Sequence, residues 1–342
     1  MYAVDFTQAS IVFGIRGKTL TADEEALFRD ANPAGYILFS RNLETPSQVK
    51  KLTERLRELT ENNEVLIMID QEGGRVQRLR PPHWREYPPM SVFGERAEEN
   101  IDEAVACVYL NYRLISLDLR ALGINVNCAP VLDLPVKGSH RIIGDRAFSN
   151  NPQTAAKLGH AACDGLLAGG VLPVIKHIPG HGRATADSHV ELPRIDTPLH
   201  KLREKDFIPF KALCAMPAAM TAHIVYTEID AGAPCSASST VIKETIRTEI
   251  GFKGLLFSDD VCMRALKGPV NARVASVLGA GCDIALHCDG NYRDMVAIAK
   301  SCPQITRAAI KRLNTAKRLI RDSDKFDAQA AKDRISAFLG NY

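Results

Sequence analysis

The chain has 342 residues, 46% of them apolar and 24% charged, with a formal net charge of +3. That length suits one large α/β barrel or two ordinary domains, and interspersed, nearly balanced charge excludes a dedicated nucleic-acid surface. No apolar run reaches the roughly 20 residues of a membrane helix, and MYAVDFTQAS carries no basic stretch before a long apolar core, so no signal peptide is expected.

From the N-terminus, short apolar runs recur at Ile11–Ile15, Tyr36–Phe39, Val65–Ile69, Ile124–Val126, Leu172–Ile175, Ala218–Thr221, Leu255–Phe257 and Ile284–Leu286. Helix signals lie between them. Thr45-Pro46-Ser47-Gln48 offers a cap, a proline at the first helical position and a glutamine to complete a capping box, and Val49, Leu52, Leu56 and Leu59 then share one face. A second stripe, Ile101, Val105, Val108, Tyr112, Ile115, Leu119 and Leu122, stops at Gly123, and a third helix runs from Asn151-Pro152 to Gly169-Gly170. Near-continuous apolar strands alternating with helices predict a parallel sheet covered on both faces. Eight such units predict a single-domain (β/α)8 TIM barrel over residues 1–342. A doubly wound sheet is the alternative, but neither GxGxxG after the first strand nor GxxxxGK[ST] occurs. The basic stretch from Lys311 to Arg321 reads as a solvated helix face. Nine cysteines without a CxxC pair read as free thiols in a reducing compartment, so the expected location is the cytoplasm.

Ionisable residues close four of the runs: Asp70, Lys176-His177, His223 and Asp259-Asp260. Barrel enzymes place their chemistry at the C-terminal ends of strands, where such residues converge on one face. In LPVIKHIPGHGRATADSH (172–189), a buried strand delivers Lys176 and His177, and a glycine-punctuated loop carries His181, Asp187 and His189. Read alone, each residue has competing roles. Asp259 fits a nucleophile, a metal ligand or a helix cap, with Asp260 available for the capping. Asp187 and His189 fit an acid/base pair or an ordinary hydrogen-bonded loop histidine. Lys176 fits a Schiff-base nucleophile, a hydroxyl donor or an ion-pair partner of Asp70. Gly73-Gly74 fits close backbone approach to a ligand or plain turn chemistry. His181, His189 and His223 fit metal ligands, although no HExxH or structural zinc spacing is present.

Five blocks narrow these options: IDQEGGRVQRL (69–79), IGDRAF (143–148), KHIPGHGRATADSH (176–189), MTAHIVY (220–226) and LLFSDDVCM (255–263). Together they resemble glycoside hydrolase family 3, and within it the single-domain bacterial β-N-acetylglucosaminidases (β-hexosaminidases). The matches run in order from GYILFSRNL (35–43) to LGAGCDIAL (278–286). The resemblance implies a catalytic TIM barrel and a retaining, two-step mechanism without cofactor or metal. It assigns the nucleophile to Asp259, the general acid/base to His189 assisted by Asp187, and sugar binding to Asp70, Arg78, Arg146, Lys176 and His177. It further implies removal of non-reducing terminal N-acetylglucosamine from anhydro-muropeptides (GlcNAc-anhydroMurNAc and its peptides) in peptidoglycan recycling, with no nucleic-acid or membrane partner. Two small departures are Ile178, often aromatic in the family, and Ala231-Gly232, often containing proline. The chain also has no room for the second α/β domain of many members.

Competing readings make different predictions. A metal-dependent hydrolase loses activity to EDTA, and a Schiff-base aldolase is trapped by borohydride. A muropeptide-binding sensor would have no need for Asp259 together with Asp187 and His189. Water and phosphate as glycosyl acceptor are not separated by the sequence.

Overall fold

A computed structural model of the protein describes residues 8–60, 65–186, 191–321 and 324–340. Each apolar run becomes a strand. They are β1 (Ala9–Gly14), β2 (Pro33–Leu38), β3 (Leu66–Ile69), β4 (Val126–Asn127), β5 (Leu172–Pro173 continuing as Ile175–Ile178), β6 (Ala218–Thr221), β7 (Leu255–Asp260) and β8 (Ile284–His287). All neighbours pair in parallel, in the order β5 first half, β4, β3, β2, β1, β8, β7, β6, β5 second half. The two ends of the sheet are halves of one strand, so the sheet closes into a (β/α)8 barrel. Leu132 N–H donates to Lys176 O at 2.7 Å and Lys176 N–H to Pro130 O at 3.1 Å, which stitches the seam between β4 and β5.

The runs are continuous rather than alternating because both strand faces are buried. Val12, Ile37, Met68, Val126, Leu172, Leu255 and Leu286 fill the barrel interior. Their neighbours Ile11, Phe13, Tyr36, Leu38, Ile67, Ile69 and Leu256 pack outward under the helices. The outer layer includes α1 (Ala22–Ala31), α2 (Pro46–Leu59), α3 (Met90–Ala97), α4 (Ile101–Ala121) and α5 (Pro152–Ala168). Thr45 caps α2 by accepting the Gln48 N–H, with Pro46 at the first helical position. The expected reciprocal box does not form, because Gln48 Oε1 accepts from Glu44 N–H instead of Thr45 N–H. Its amide nitrogen reaches the carbonyls of Lys18 and Asn42, ordering the β2–α2 loop.

The basic C-terminal segment corrects one expectation. Ala309, Leu313 and Ala316 of the helix Arg307–Lys317 join the interior cluster of the barrel. Arg312 pairs with Asp283 at 2.7 Å and Lys317 is buried, leaving Lys311, Arg318 and Arg321 on the solvated face. All nine cysteines are free thiols, six of them buried. Among the described residues, no helix is long and apolar enough to cross a membrane.

Candidate active site

Parallel strands deliver their C-terminal ends to one face, and there a pocket of about 430 Å³ opens. Asp70 follows β3, Lys176 and His177 lie in β5, and Asp259 and Asp260 end β7. All five line the pocket, as do Arg78 and Arg146. Six expected site residues are thus brought together from separate parts of the chain, with Asp260 beside them.

Asp70, Glu72 and Lys176 form its charged floor. Lys176 Nζ lies 2.9 Å from Asp70 Oδ1 and 2.6 Å from Glu72 Oε1. Arg78 donates to the other Asp70 oxygen at 3.0 Å, and Arg146 grips Glu72 through two bonds of 2.9 Å. Burial alone would raise the pKa of Asp70, but Lys176 and Arg78 overcome it and hold the carboxyl well below the ordinary carboxylate range. Glu72 follows the same logic: burial raises it, and Arg146 and Lys176 bring it down. Burial disfavours the Lys176 ammonium, yet Asp70 and Glu72 raise its pKa above the ordinary lysine value. A Schiff-base lysine needs the opposite shift, so Lys176 is an ion-pair partner here. Glu72 was not singled out from the sequence, though it stands two residues past Asp70, where extended backbone returns a side chain to the same face.

This floor rests on a hairpin, Gln71–Gly73 against Val76–Gln77. Asn127 of β4 accepts the Gln71 N–H at 3.0 Å and donates to its carbonyl at 2.9 Å. Gln71 Oε1 accepts the N–H groups of Arg78 and Leu79, which turns Arg78 back toward Asp70. Gly73 has φ +111, and a Cβ there would stand 2.4 Å from the Pro88 carbonyl oxygen. The glycine pair therefore serves the turn and its packing on Pro88 and Pro89, not approach to a ligand.

A second buried group organises the loop after β5. Asp133, which sequence reasoning missed, accepts the His177 Nδ1–H at 2.6 Å on one oxygen. Its other oxygen accepts the N–H groups of His177 and His181 at 3.1 and 2.6 Å. The only sequence cue was an acid after an apolar pair, Val131-Leu132. Burial would raise the Asp133 pKa, but His177 and His181 lower it. Burial, reinforced by His177, lowers His181 to about 4. Gly182 lies so near Leu134 that a Cβ would stand 1.8 Å from the Leu134 carbonyl oxygen. Asp187 and His189 lie outside the described residues.

Asp259 Oδ1 accepts the Asp260 N–H at 2.8 Å. Asp260 is not the expected helix cap, because the next helix, Val270–Ala280, begins after Pro269. Its Oδ1 instead accepts the N–H groups of Cys262 and Cys288 at 3.0 and 3.1 Å, tying the end of β7 to the end of β8. His223 also departs from expectation. Its ring nitrogens contact Ser236 Oγ at 2.5 Å and Asp260 O at 2.9 Å, and it does not line the pocket. It braces the β7 end and is not placed as a metal ligand. The rim adds Phe39, with the guanidinium groups of Arg41 and Arg78 over its ring at 4.9 and 5.1 Å. Buried ion pairs, a strand-end carboxylate and one aromatic edge make a pocket suited to a polyhydroxylated ligand.

The glycosyl hydrolase family 3 N-terminal domain matches residues 5–321. A β-hexosaminidase from Nitrosomonas eutropha is 38% identical over 283 residues, covering 82% of this chain and 80% of that protein. One from Pseudomonas aeruginosa is 36% identical over 296 residues, covering 85% and 86%. Among solved structures, NagZ from Neisseria gonorrhoeae in complex with N-trifluoroacetyl-D-glucosamine superposes with a TM-score of 0.87 at 32% identity. That match covers 98% of this chain and 99% of the other.

Proposed function

This chain belongs to glycosyl hydrolase family 3 and is a glycoside hydrolase of the β-hexosaminidase kind, and from that premise we propose a retaining β-N-acetylglucosaminidase. It removes non-reducing terminal β-1,4-linked N-acetylglucosamine from anhydro-muropeptides during peptidoglycan recycling, in the cytoplasm, with residues 1–342 acting as one catalytic domain. The observation that carries the reading is the meeting of Asp259 with Asp70, Arg78, Lys176 and His177 in one strand-end pocket.

In the first step the Asp259 carboxylate attacks the anomeric carbon, and the bond to the leaving oxygen breaks as His189 supplies its proton. Asp187 holds the imidazole in the tautomer and charge state this needs. In the second step neutral His189 takes a proton from water, whose oxygen displaces Asp259 and restores the β configuration. Asp70 accepts hydrogen bonds from sugar hydroxyls; Arg78 and Lys176 donate them. His177, with Nδ1–H committed to Asp133, offers Nε2. Arg146 acts mainly by fixing Glu72, and hence Lys176. Because these groups are already paired, little reorganisation accompanies substrate binding.

The test is release of 4-nitrophenol from 4-nitrophenyl N-acetyl-β-D-glucosaminide with EDTA present, for wild type and Asp259→Ala. The expected result is robust wild-type activity and a loss of roughly a thousand-fold in the folded variant, about 4 kcal/mol of barrier. Near-wild-type turnover in Asp259→Ala sinks the nucleophile assignment. An inactive, folded wild type sinks the substrate.

A further inference from the structure

Cys262, His287 and Asp289 meet where the loop after β7 faces the end of β8. One ligand atom from each lies within 4.8 Å of the other two. His287 is fully buried, its ring set edge-on to Phe13 with centroids 5.9 Å apart. Its Nε2 stands 3.1 Å from Asp289 Oδ1, within hydrogen-bond distance, and its Nδ1 has no hydrogen-bond partner. A fully buried imidazole that faces a half-exposed carboxylate and a thiol, with its other nitrogen unsatisfied, is an uncommon arrangement that calls for an explanation. The Asp289 carboxylate is 45% exposed and opens the cluster outward. The mechanism proposed above uses none of the three.

The backbone holds this cluster in place. The Asp260 oxygen that accepts from Cys262 N–H also accepts from Cys288 N–H, between the other two ligands. Arg41 donates to the Cys288 carbonyl, and Asn291 N–H bonds to Asp289 Oδ1 at 2.8 Å. Short adjustments of side chains on a fixed frame would bring the sulfur, nitrogen and oxygen to tetrahedral distances.

We propose that Cys262, His287 and Asp289 form a binding site for a thiophilic divalent cation of the Zn²⁺ type. A thiolate, an imidazole and a carboxylate suit Zn²⁺ or Co²⁺ and are poorly matched to Mg²⁺ or Ca²⁺, which take oxygen ligands. On binding, Cys262 coordinates through sulfur and its proton leaves to solvent; the fourth position holds water. The bound cation clamps the segment three residues past Asp259 to β8. Asp289 also lines the strand-end pocket, so the site borders the substrate cavity, but cation binding here does not depend on the assigned reaction.

Metal-free full-length protein is titrated with Zn²⁺ by calorimetry and with Co²⁺ by absorption. The expected result is one Zn²⁺ per chain and a sulfur-to-cobalt charge-transfer band. Cys262→Ser abolishes the band, and both Cys262→Ser and Asp289→Asn weaken Zn²⁺ binding at least ten-fold. Cys214→Ser, at another partly exposed thiol, changes neither. The site is overturned if wild type shows no saturable Zn²⁺ binding, or if both variants titrate like wild type. Loss of the single equivalent in His189→Ala, with Cys262→Ser unaffected, assigns the cation to the dyad and equally overturns it.

Discussion

Lys176 neutralises two buried carboxylates at once, which makes it the residue whose loss propagates furthest. In Lys176→Met, Arg78 and Arg146 still hold one carboxylate each, but both acids lose their shared cation. Breaking a buried pair costs about 3–5 kcal/mol, so the urea midpoint falls by a corresponding amount; an unchanged midpoint would show that the network adds no stability. His181 adds a pH-dependent term of determinate sign. Its pKa is lowered from 6.5 to about 4 in the folded protein, so the unfolded chain binds more protons between those values. The associated stability, on the order of 3 kcal/mol, is present above about pH 6.5 and drains away as pH falls toward 4. Asp70, Glu72 and Asp133, also lowered, extend the loss below the ordinary carboxylate range. Thermal melts between pH 7.5 and 4 should therefore slope downward, and His181→Asn should flatten that portion. A slope that persists in the variant rules His181 out as its source.

Elements matter here chiefly through where they end. The turn after β5 stays close to the Asp133–Leu134 segment because Gly182 has no Cβ. Gly182→Ala pushes the two backbones apart, costing about 1–3 kcal/mol and stretching the His181 N–H bond to Asp133. Activity on the aryl glycoside should fall more than the melting temperature does, and equal, small effects on both would mean the loop adjusts freely. These ends also explain how much of the site was legible. Asp70, Lys176, His177 and Asp259 stood out because each ends or interrupts a fully apolar run, and parallel pairing sends all such ends to one side. Arg78 and Arg146 came from family resemblance, since nothing local marks a residue on a hairpin or a short turn as facing a pocket. Asp133 sits in an irregular segment after a two-residue strand, with no periodicity to orient its side chain. His223 held a strand-end position like the others, yet partners remote in sequence, Ser236 and the Asp260 carbonyl, turned it away.

At the scale of the molecule, the barrel was readable because eight apolar runs had no polar alternation. Its closure was not, because the split of β5 between the two sheet ends is decided by pairing alone. That closure has a cost in time. Val12 of β1 pairs with Leu286 of β8, and at about 5–20 residues per second of synthesis the wait is on the order of 15–55 s. Ending the chain at Gly281 removes β8 and leaves β1 and β7 with open edges. Such a chain should sediment on refolding where the full chain stays in solution; recovery of a dispersed, folded truncation would contradict this. Unpaired parallel edges are templates for other chains. On the ribosome the protein is accordingly an unclosed sheet for most of its birth, and the length of that exposure, rather than the stability of the finished barrel, sets its risk of pairing with other chains.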